Sequence, residues 1–455
     1  MSNQKKPRLI VLTDIGGDPD DEQSFVRLLV HADQFDIEGI IPDLWIEHKG
    51  RHGVLTADSQ MGIVYQALDL YAESHDNLCK HAPGFPGVDQ LRSIVKRGAV
   101  DVRHPETDGA LADVSSLVGE HRRCEGADWI ISVVDRDDPR PLNITIWGGS
   151  ATLAQALWQV QHTRTSRELS AFLTKLRVHA ISDQDDTGPW IRNEFPELFY
   201  ILDHARNGNK LESCYRGMFL GGDESLTSRN WVETHVRADH GSLGEWYPTK
   251  TVTFSNPHGC MKEGDTPSWF YFLHNGLQIP ERPNAGGWGG RFEHNGAFYQ
   301  DSEDRVGKEK SHRATVHRWR PAFQNEFAAR MDWCVRTPED ANHPPVAIID
   351  GDAGPTPVIR SAQVGDVLLF DACESHDPDG DTLFFHWWQY REAGTYRHPV
   401  RISDCYSPLV AVPISEDAAG SELHIILEVT DNGTPRLTSY RRVIVSVAQD
   451  ASKSY

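Results

Sequence analysis

Near its start the chain reads LIVLTDIGGDPDD over residues 9–21. The first four residues form a short, apolar, partly β-branched run bounded by turn residues, which is the pattern of a buried strand. Four aspartates follow at once, at Asp14, Asp18, Asp20 and Asp21. The acids therefore stand where a first strand ends and a first helix begins, and ligands bind at that edge of an open α/β sheet.

Two interpretations of this acidic cluster compete. Like charges so close together repel one another, and a hard cation such as Ca²⁺, which takes about six to eight oxygen ligands, would neutralise them. Alternatively, the acids form a turn and a helix N-terminus, where aspartate caps the helix and favours the positive end of its dipole. The position directly after a strand of parallel type favours the cation site.

Composition restricts the partners of the protein. The 455 residues carry a formal net charge of −21, which argues against binding to nucleic acid or to an anionic membrane surface. No stretch approaches the roughly 18 apolar residues of a membrane span, and no signal peptide is visible. We therefore expect a cytoplasmic protein, or a secreted mature form whose leader was removed, with a neutral substrate or a cation cofactor.

Cysteine usage gives no sign of a metal or disulfide framework. The seven cysteines are scattered and include no Cys-x-x-Cys pair, so neither a zinc site nor a disulfide scaffold is indicated. A single bridge between Cys373 and Cys405 stays open as the less frequent alternative in a reducing compartment.

Strand-like and helix-like patterns alternate up to about Ala341. Strands are predicted at 9–12, 37–41, 129–134, 142–147 and 176–181, and helices at 22–32, 59–70 and 151–160. This alternation implies an open, mostly parallel sheet covered by helices on both faces. We assign residues 1–341 to this α/β domain.

A proline-rich linker at 337–345 leads to a region without helical periodicity. Its short β-type runs lie at 346–349, 367–370, 384–390, 423–429 and 443–447. Such runs, separated by turns, predict an all-β immunoglobulin-like sandwich over residues 342–455. Trp387 and Trp388 are adjacent in one strand and point to opposite faces, so we expect one in the sandwich core and the other covered by the neighbouring domain or exposed.

Several motifs carry a resemblance to a known family. Thr13-Asp14-x-Gly16 followed by Asp20-Asp21 resembles the signature of nucleoside hydrolases, which are calcium-dependent N-ribohydrolases with an open, largely parallel α/β sheet. The stretches IWGGSATLA (146–154), ISDQDD (181–186) and EGDTPS (263–268) are similar to later segments of that family, in the same order.

The whole chain more closely resembles the nucleoside hydrolase-like cellulose-binding proteins, which add an immunoglobulin-like C-terminal domain. The stretches that carry this closer resemblance, besides those at 181–185 and 263–268, are DPDDE (18–22), GPWIR (188–192), GGWGGR (286–291) and WRPAF (319–323). Relatives of this fold often form dimers or tetramers, so a homo-oligomer is compatible with the sequence.

The resemblance implies a Ca²⁺ site and catalytic roles. The metal ligands would be Asp14, Asp21, Asp265 and a backbone oxygen of Gly148. Asp14 would act as the general base toward water, and Asp20 would hold a sugar hydroxyl in the same catalytic centre. A nearby anionic cluster would stabilise the oxocarbenium character of the attacked carbon.

Three departures from true nucleoside hydrolases affect the substrate prediction. An insertion adds Asp18, Leu12 replaces an acid, and the stretch 42–45 (PDLW) stands where the family has a Gly-Asn pair that contacts the sugar. We therefore expect cleavage of a glycosidic bond in a glycoside or glycan fragment. A non-catalytic carbohydrate-binding protein and a true nucleoside N-ribohydrolase are the alternatives.

Further residues are expected to contact the substrate. They are Asp18, Asp183, Asp185, Trp190, Arg192, Trp288 and His294. Most have a structural alternative: Asp183 and Asp185 belong to a solvated acidic loop, the tryptophans pack, and Arg192 pairs with Glu194 or another acid. The stretch around Trp288 has little helix or strand propensity and predicts a surface loop. His294 and His274 are candidates to assist the leaving group because histidine titrates near neutrality.

Overall fold

A computed structural model describes residues 5–43, 49–50, 53–100, 116–250 and 260–449. Its strands are β1 (Arg8–Thr13), β2 (Asp36–Pro42), β3 (Lys49–Gly50), β4 (Gly53–Val54), β5 (Leu142–Ile146), β6 (Leu176–Ile181), β7 (Phe199–Asp203), β8 (Phe292–His294), β9 (Tyr299–Asp301), β10 (Asp304–Val306), β11 (Glu309–Ser311), β12 (Val358–Ala362), β13 (Val367–Asp371), β14 (Phe384–Gln389), β15 (Leu409–Pro413), β16 (Glu422–Thr430) and β17 (Thr438–Val447). Its α-helices are α1 (Asp20–Val30), α2 (Ala57–His81), α3 (Val88–Ser93), α4 (Glu125–Val134), α5 (Ala151–Thr163), α6 (Ser166–Leu173), α7 (Thr187–Glu194), α8 (Arg229–Val232), α9 (Gly241–Trp246), α10 (Thr266–Phe270), α11 (Ala314–His317) and α12 (Arg320–Trp333).

A seven-stranded sheet organises the first part of the chain, in the order β2-β1-β5-β6-β7-β9-β8. The pairs from β2 through β9 are parallel, and the edge strand β8 runs antiparallel to β9. Successive residues of a strand point to opposite faces. Leu9 and Val11 accordingly enter the apolar core that includes α1, α2 and α12, whereas Ile10 and Leu12 enter the core that includes α4, α5 and α6. Both faces are covered, which confirms the predicted mostly parallel α/β fold.

One predicted strand is wrong. Residues 129–134 belong to helix α4, and Ala127, Ile130, Val133 and Val134 present its buried side to the core. A short apolar run in a buried helix has the same composition as a buried strand, and its periodicity cannot separate the two.

The last part of the chain is a sandwich of short strands, as predicted. One sheet has the order β12-β17-β16-β14, and the other pairs β13 with β15. The run 346–349 makes isolated bridges instead of a strand, with Val346 opposite His376. Cys373 and Cys405 are both free thiols. The boundary at 341 and 342 stays a prediction; it lies in the interval between α12 and β12.

The two adjacent tryptophans of β14 join the two parts of the chain. Trp387 is buried in the sandwich core and stacks on Phe370, with ring centroids 5.9 Å apart. Trp388 points the other way and packs on Trp319, just before α12, at 5.7 Å. The neighbouring α/β part therefore covers Trp388. None of the helices in the described ranges is both long and apolar enough to cross a membrane.

Candidate functional site

A cavity of about 310 Å³ opens at the carboxyl ends of β1, β5 and β6. Its lining consists of Asp14, Asp18, Asp20, Asp21, Trp147, Ile181, Ser182, Asp183, Gln184, Lys210, Tyr215, Arg216, Lys262 and Asp265. The position follows from topology, since the carboxyl ends of neighbouring parallel strands meet at one edge of the sheet. The four aspartates of the 9–21 stretch and the distant Asp265 thus share one cavity.

Three carboxylates crowd the base of this cavity. One oxygen from each of Asp20, Asp21 and Asp265 lies within 4.8 Å of the other two. Burial, reinforced by the charge of Asp14, raises the pKa of Asp20 to about 7. Burial also raises the pKa values of Asp21 and Asp265 well above their usual range, and neighbouring carboxylates add to both effects. Such a cluster requires protons or a cation to offset its charge.

The donor set fits Ca²⁺. Oδ2 of Asp265 is buried and has no hydrogen-bond partner among the described residues. The backbone of Gly148 lies against Asp14, because a Cβ atom at position 148 would be only 2.6 Å from Oδ1 of Asp14. These groups offer only oxygen atoms, which hard cations prefer. Three of the residues expected to hold the metal, Asp14, Asp21 and Asp265, line this cavity, and Gly148 lies beside Asp14. The closest group of carboxylate oxygens, however, includes Asp20 and not Asp14.

The helix-capping interpretation also has a structural counterpart. Asp20, Asp21 and Glu22 form the first turn of α1, where negative charge is favourable, but the start of this helix has no side-chain cap. Oγ1 of Thr13 instead donates a hydrogen bond to Asp21 and accepts one of 3.1 Å from the backbone N–H of Ile15. The three acids therefore place negative charge at the positive end of the helix dipole, and Asp20 and Asp21 also line the cavity.

Lys262 is a cavity residue that the sequence analysis missed. Its ammonium group pairs with the carboxylate of Asp18 and lies 3.7 Å from Oδ2 of Asp20. Burial lowers the pKa of Lys262 to about 8, against the opposing effect of Asp265 and Asp14. The inserted Asp18 therefore faces an internal cation at the cavity wall.

Asp183 and Arg192 form a bidentate pair beside the cavity. The two terminal nitrogens of Arg192 donate hydrogen bonds of 2.8 and 2.7 Å to the two oxygens of Asp183. The guanidinium group also lies over Phe298, 4.7 Å from the ring centroid. Of the two roles considered for Arg192, the structure shows the ion pair, and this pair fixes Asp183 in the cavity wall.

Asp185 points away from the cavity and into the start of α5. Its Oδ2 accepts hydrogen bonds from the backbone N–H groups of Ser150 and Ala151, at 2.7 and 3.1 Å. Its Oδ1 accepts two more from Thr187, at 2.9 and 2.7 Å. With four donors on two buried oxygens, Asp185 positions the Gly148–Ser150 turn, and it does not line the cavity where we expected it.

The predicted aromatic and histidine contacts also lie elsewhere. Trp288 is 1% exposed and packs on Phe270 in the core, so the stretch around it is not a surface loop. Trp190 packs edge-on against Phe195. His294 is exposed at the end of the edge strand β8. None of these three side chains, in the ranges that the structure covers, lines the cavity.

Two further expectations concern residues outside the cavity. His274 lines a different cavity, with Lys6 and Pro7 at the amino end of β1. Asp43, which follows β2, is buried and accepts a hydrogen bond from Thr152. Leu44 and Trp45, the rest of the stretch that replaces the sugar-contacting pair, lie outside the described residues.

Two lining residues, Tyr215 and Arg216, carried no recognisable sequence signal. Tyr215 and Arg216 come from the segment after β7, and the Arg216 guanidinium lies 4.9 Å from the centroid of the Tyr215 ring. Ser182 in the cavity lining and the buried Glu263, three residues after Cys260, adopt left-handed backbone conformations, with φ of 63° and 40°. Such conformations cost energy in residues other than glycine and cluster at functional sites. Because neither position is occupied by glycine or asparagine, the sequence does not mark it as left-handed.

Two family models match most of the chain. The family model described as cellulose-binding Sde182, nucleoside hydrolase-like domain, matches residues 8–292. The model for the C-terminal domain of cellulose-binding protein Sde0182 matches residues 367–447. No curated protein sequence matches the chain.

One solved structure is similar over nearly the whole chain. It is a nucleoside hydrolase-related hypothetical protein from Saccharophagus degradans, described as associated with carbohydrate metabolism. The two proteins are 34% identical, with a TM-score of 0.79, and the match covers 97% of this chain and 100% of the other.

Two other solved structures are more distant. The type III effector protein XopQ complexed with adenosine diphosphate ribose is 12% identical, with a TM-score of 0.32, over 73% of this chain and 94% of its own. The PKD domain from KIAA 1837 protein is 18% identical, with a TM-score of 0.17, over 22% of this chain and 88% of its own. The matches to both family models and to the Saccharophagus degradans protein place this chain in the Sde182 family of cellulose-binding proteins with a nucleoside hydrolase-like domain.

Proposed function

We propose that the protein is a Ca²⁺-dependent hydrolase that cleaves the glycosidic bond of a glycoside or glycan fragment. The observation that carries this proposal is the convergence of carboxylate oxygens from Asp20, Asp21 and Asp265, within 4.8 Å of one another, on an open cavity. The cavity volume of about 310 Å³ is in the range of small-molecule sites. The description of the similar structure as associated with carbohydrate metabolism supports a sugar as the ligand.

Ca²⁺ would be held by Asp14, Asp21, Asp265 and the backbone oxygen of Gly148. The unpartnered Oδ2 of Asp265 and the close approach of Gly148 to Asp14 support this assignment. When bound, the ion would supply positive charge that polarises coordinated oxygen atoms.

Side chains of the cavity would carry out the proton transfers and hold the sugar. Asp14 would accept the proton of the attacking water, and Asp20 would accept a hydrogen bond from a sugar hydroxyl. The surrounding negative charge would stabilise positive charge that develops on the sugar ring. Lys262 would donate a proton to the leaving group, because it lines the same cavity and burial brings its pKa to about 8. Neither His274 nor His294 lies in that cavity.

A non-catalytic carbohydrate-binding protein is the second candidate. Lys262 favours it, because its ammonium group already offsets part of the acidic charge at Asp18 and Asp20. In that case the cavity would hold a sugar without activating water, in keeping with the description of the family as cellulose-binding.

A substrate panel separates these candidates. The wild-type protein is incubated with aryl glycosides, cello-oligosaccharides, inosine and uridine, in Ca²⁺ or in a chelator, and products are resolved by chromatography. We expect product from a glycoside in Ca²⁺ and none in chelator. Binding without any product supports the second candidate, and cleavage of inosine or uridine alone identifies a nucleoside hydrolase.

Two variants test the residue assignment on whichever substrate is cleaved. Asp14→Asn preserves the shape of the side chain and should abolish turnover. Asp76→Asn, on an exposed position of α2, is the matched control and should leave turnover unchanged. Normal turnover by Asp14→Asn would contradict the assignment.

A further inference from the structure

A second cluster of potential metal ligands lies behind the cavity. Asp203 ends β7, Asp301 ends β9, His179 lies in β6, and Cys214 begins the turn after β7. His179 pairs with Ile201, and Ile201 pairs with Tyr299, so His179, Asp203 and Asp301 project from one face of the sheet. The four side chains are completely buried.

The ligand atoms of this cluster converge. One carboxylate oxygen of Asp203, one of Asp301 and Sγ of Cys214 all lie within 4.8 Å of one another. Nε2 of His179 is 3.9 Å from Oδ2 of Asp203. Two ligand atoms about 2.0–2.3 Å from one metal ion can be at most about 4.6 Å apart. A small contraction would therefore bring Asp203, Cys214 and Asp301 onto one ion, and His179 would join them by moving toward Asp203.

Two of these polar groups lack partners. Among the described residues, neither ring nitrogen of His179 makes a hydrogen bond, and no N–H group donates to Oδ2 of Asp203, whose carboxyl group contacts that of Asp301. Buried polar atoms are nearly always satisfied, so unpartnered atoms that face one another indicate a missing group between them. His179 lies in a different strand from either acid, and its two unpartnered ring nitrogens are therefore a second indication of a ligand, separate from the acidic pair.

Backbone N–H groups hold the two aspartates in place. Oδ1 of Asp203 accepts a hydrogen bond of 3.0 Å from the backbone N–H of Tyr215. The oxygens of Asp301 accept hydrogen bonds from the backbone N–H groups of His204 and Cys214, at 2.9 and 2.8 Å. In known metal sites, hydrogen bonds of this kind orient the side chains that bind the metal.

We propose that His179, Asp203, Cys214 and Asp301 form a buried site for a borderline-soft divalent metal ion of the Zn²⁺ type. Thiolate and imidazole ligands favour such an ion, whereas the all-oxygen cluster of the cavity favours a hard one. The ion would tie β6, β7 and β9 to the turn at Cys214. Tyr215, the next residue, lines the cavity, so the ion would support the cavity wall without contacting substrate. The competing occupant is a proton shared by Asp203 and Asp301.

The test uses the full chain, expressed in medium with Zn²⁺ or with Co²⁺ in its place. Elemental analysis after extensive dialysis should find about one Zn²⁺ per chain. The Co²⁺ form should show thiolate-to-cobalt charge-transfer absorption in the near ultraviolet. Less than a tenth of an equivalent of either metal, or a cobalt spectrum without that absorption, would overturn the proposal and favour the shared proton.

Variants locate the metal. Cys214→Ala and His179→Phe should each lower the Zn²⁺ content at least tenfold, and Cys214→Ala should remove the charge-transfer band. Cys260→Ala is the matched control, because Cys260 is another buried free thiol and should keep both metal and band. If the metal or the band survives Cys214→Ala in folded protein, the site is wrong.

If the variant does not fold, an anomalous difference map of wild-type crystals at the zinc edge tests the site instead. We expect a peak at these four residues, and the absence of a peak would contradict the site.

Discussion

The buried ammonium group of Lys262 pairs with the carboxylate of Asp18, which the insertion adds to the acidic stretch. Lys262 comes from a segment more than two hundred residues away, so the pair joins the end of β1 to the approach to α10. Removing one partner of a buried ion pair leaves an uncompensated charge and costs about 3–5 kcal/mol.

We therefore predict that Lys262→Met lowers the free energy of unfolding by about 3 kcal/mol in the absence of Ca²⁺. Adding Asp18→Asn to this variant should restore part of the loss, because the unpaired charge is removed with it. Urea unfolding of both single variants and the double variant measures the coupling. The exposed pair of Arg97 and Asp58 is the control, and Arg97→Met should cost less than about 1 kcal/mol. Simple additivity of Lys262→Met and Asp18→Asn would contradict a direct pair.

The effect of Asp265→Asn on stability should change sign when Ca²⁺ is added. Without the ion, the variant should be as stable as wild type or more so, because one of several repelling buried charges has been removed. With Ca²⁺ at a hundred times its Kd, wild type should gain about 2.7 kcal/mol and the variant little. Thermal unfolding with and without the ion measures both effects. Asp76→Asn should respond to Ca²⁺ as wild type does, and an equal response of Asp265→Asn would remove Asp265 from the ligand set.

Asp185→Ala should destabilise the protein even though Asp185 is absent from the cavity. The substitution leaves the N–H groups of Ser150, Ala151 and Thr187 without their acceptor. An unsatisfied buried donor costs about 1–3 kcal/mol, so a loss of about 3 kcal/mol or more is expected. Because the Gly148–Ser150 turn is then less ordered, Ca²⁺ affinity should also fall. Urea unfolding and calcium titration check the two effects, and an unchanged stability would show that Asp185 does not hold this turn.

His424 should make the protein less stable as the pH falls below neutrality. It is buried, accepts a hydrogen bond of 2.7 Å from Arg442 and lies 2.9 Å from Glu422, and burial lowers its pKa to about 4. Below about pH 6.5 the unfolded chain binds a proton at this residue that the folded chain does not. The free energy of unfolding should therefore fall as pH decreases from 6.5 to 4, by at most about 1.4 kcal/mol per pH unit from this group.

The variant His424→Gln isolates that contribution. Urea unfolding at several pH values between 6.5 and 5 should give a shallower slope for the variant than for wild type. This range lies above the window of Glu422, whose pKa is lowered to about 2 by its contacts with His424 and Arg282 and whose stabilisation is lost only below its unfolded pKa. Equal slopes would mean that His424 takes up a proton in the folded state.

Local pattern and topology predicted the elements that build the acidic cavity. The apolar run 9–12 is a buried strand because alternate residues enter two cores, and Asp14 and Asp21 follow it at the ligand-binding edge. The parallel order of β1, β5 and β6 places the Gly148 turn beside them. The same reasoning failed at 129–134, where a short apolar run is compatible with either element.

The positions of the other residues depend on long-range packing, which sequence patterns do not show. Trp288 lies in a glycine-rich stretch, which predicted a surface loop, but a Cβ atom at Gly289 would clash with the backbone of Tyr271. These glycines serve close packing of a buried segment. Lys262 and Tyr215 reach the cavity from segments without periodicity, and the ligands at His179, Asp203, Cys214 and Asp301 are too dispersed to form a spacing motif.

We infer that a single Ca²⁺ ion is bound by Asp14, Asp21, Asp265 and Gly148. Long-wavelength anomalous diffraction from crystals grown in Ca²⁺ is the most direct test of this site. We predict one strong anomalous peak in the cavity, with carboxylate oxygens of the three aspartates and the Gly148 carbonyl at about 2.3–2.6 Å. A cavity without a peak at saturating Ca²⁺, with Lys262 still paired to Asp18, would contradict the calcium site and the proposed hydrolysis with it.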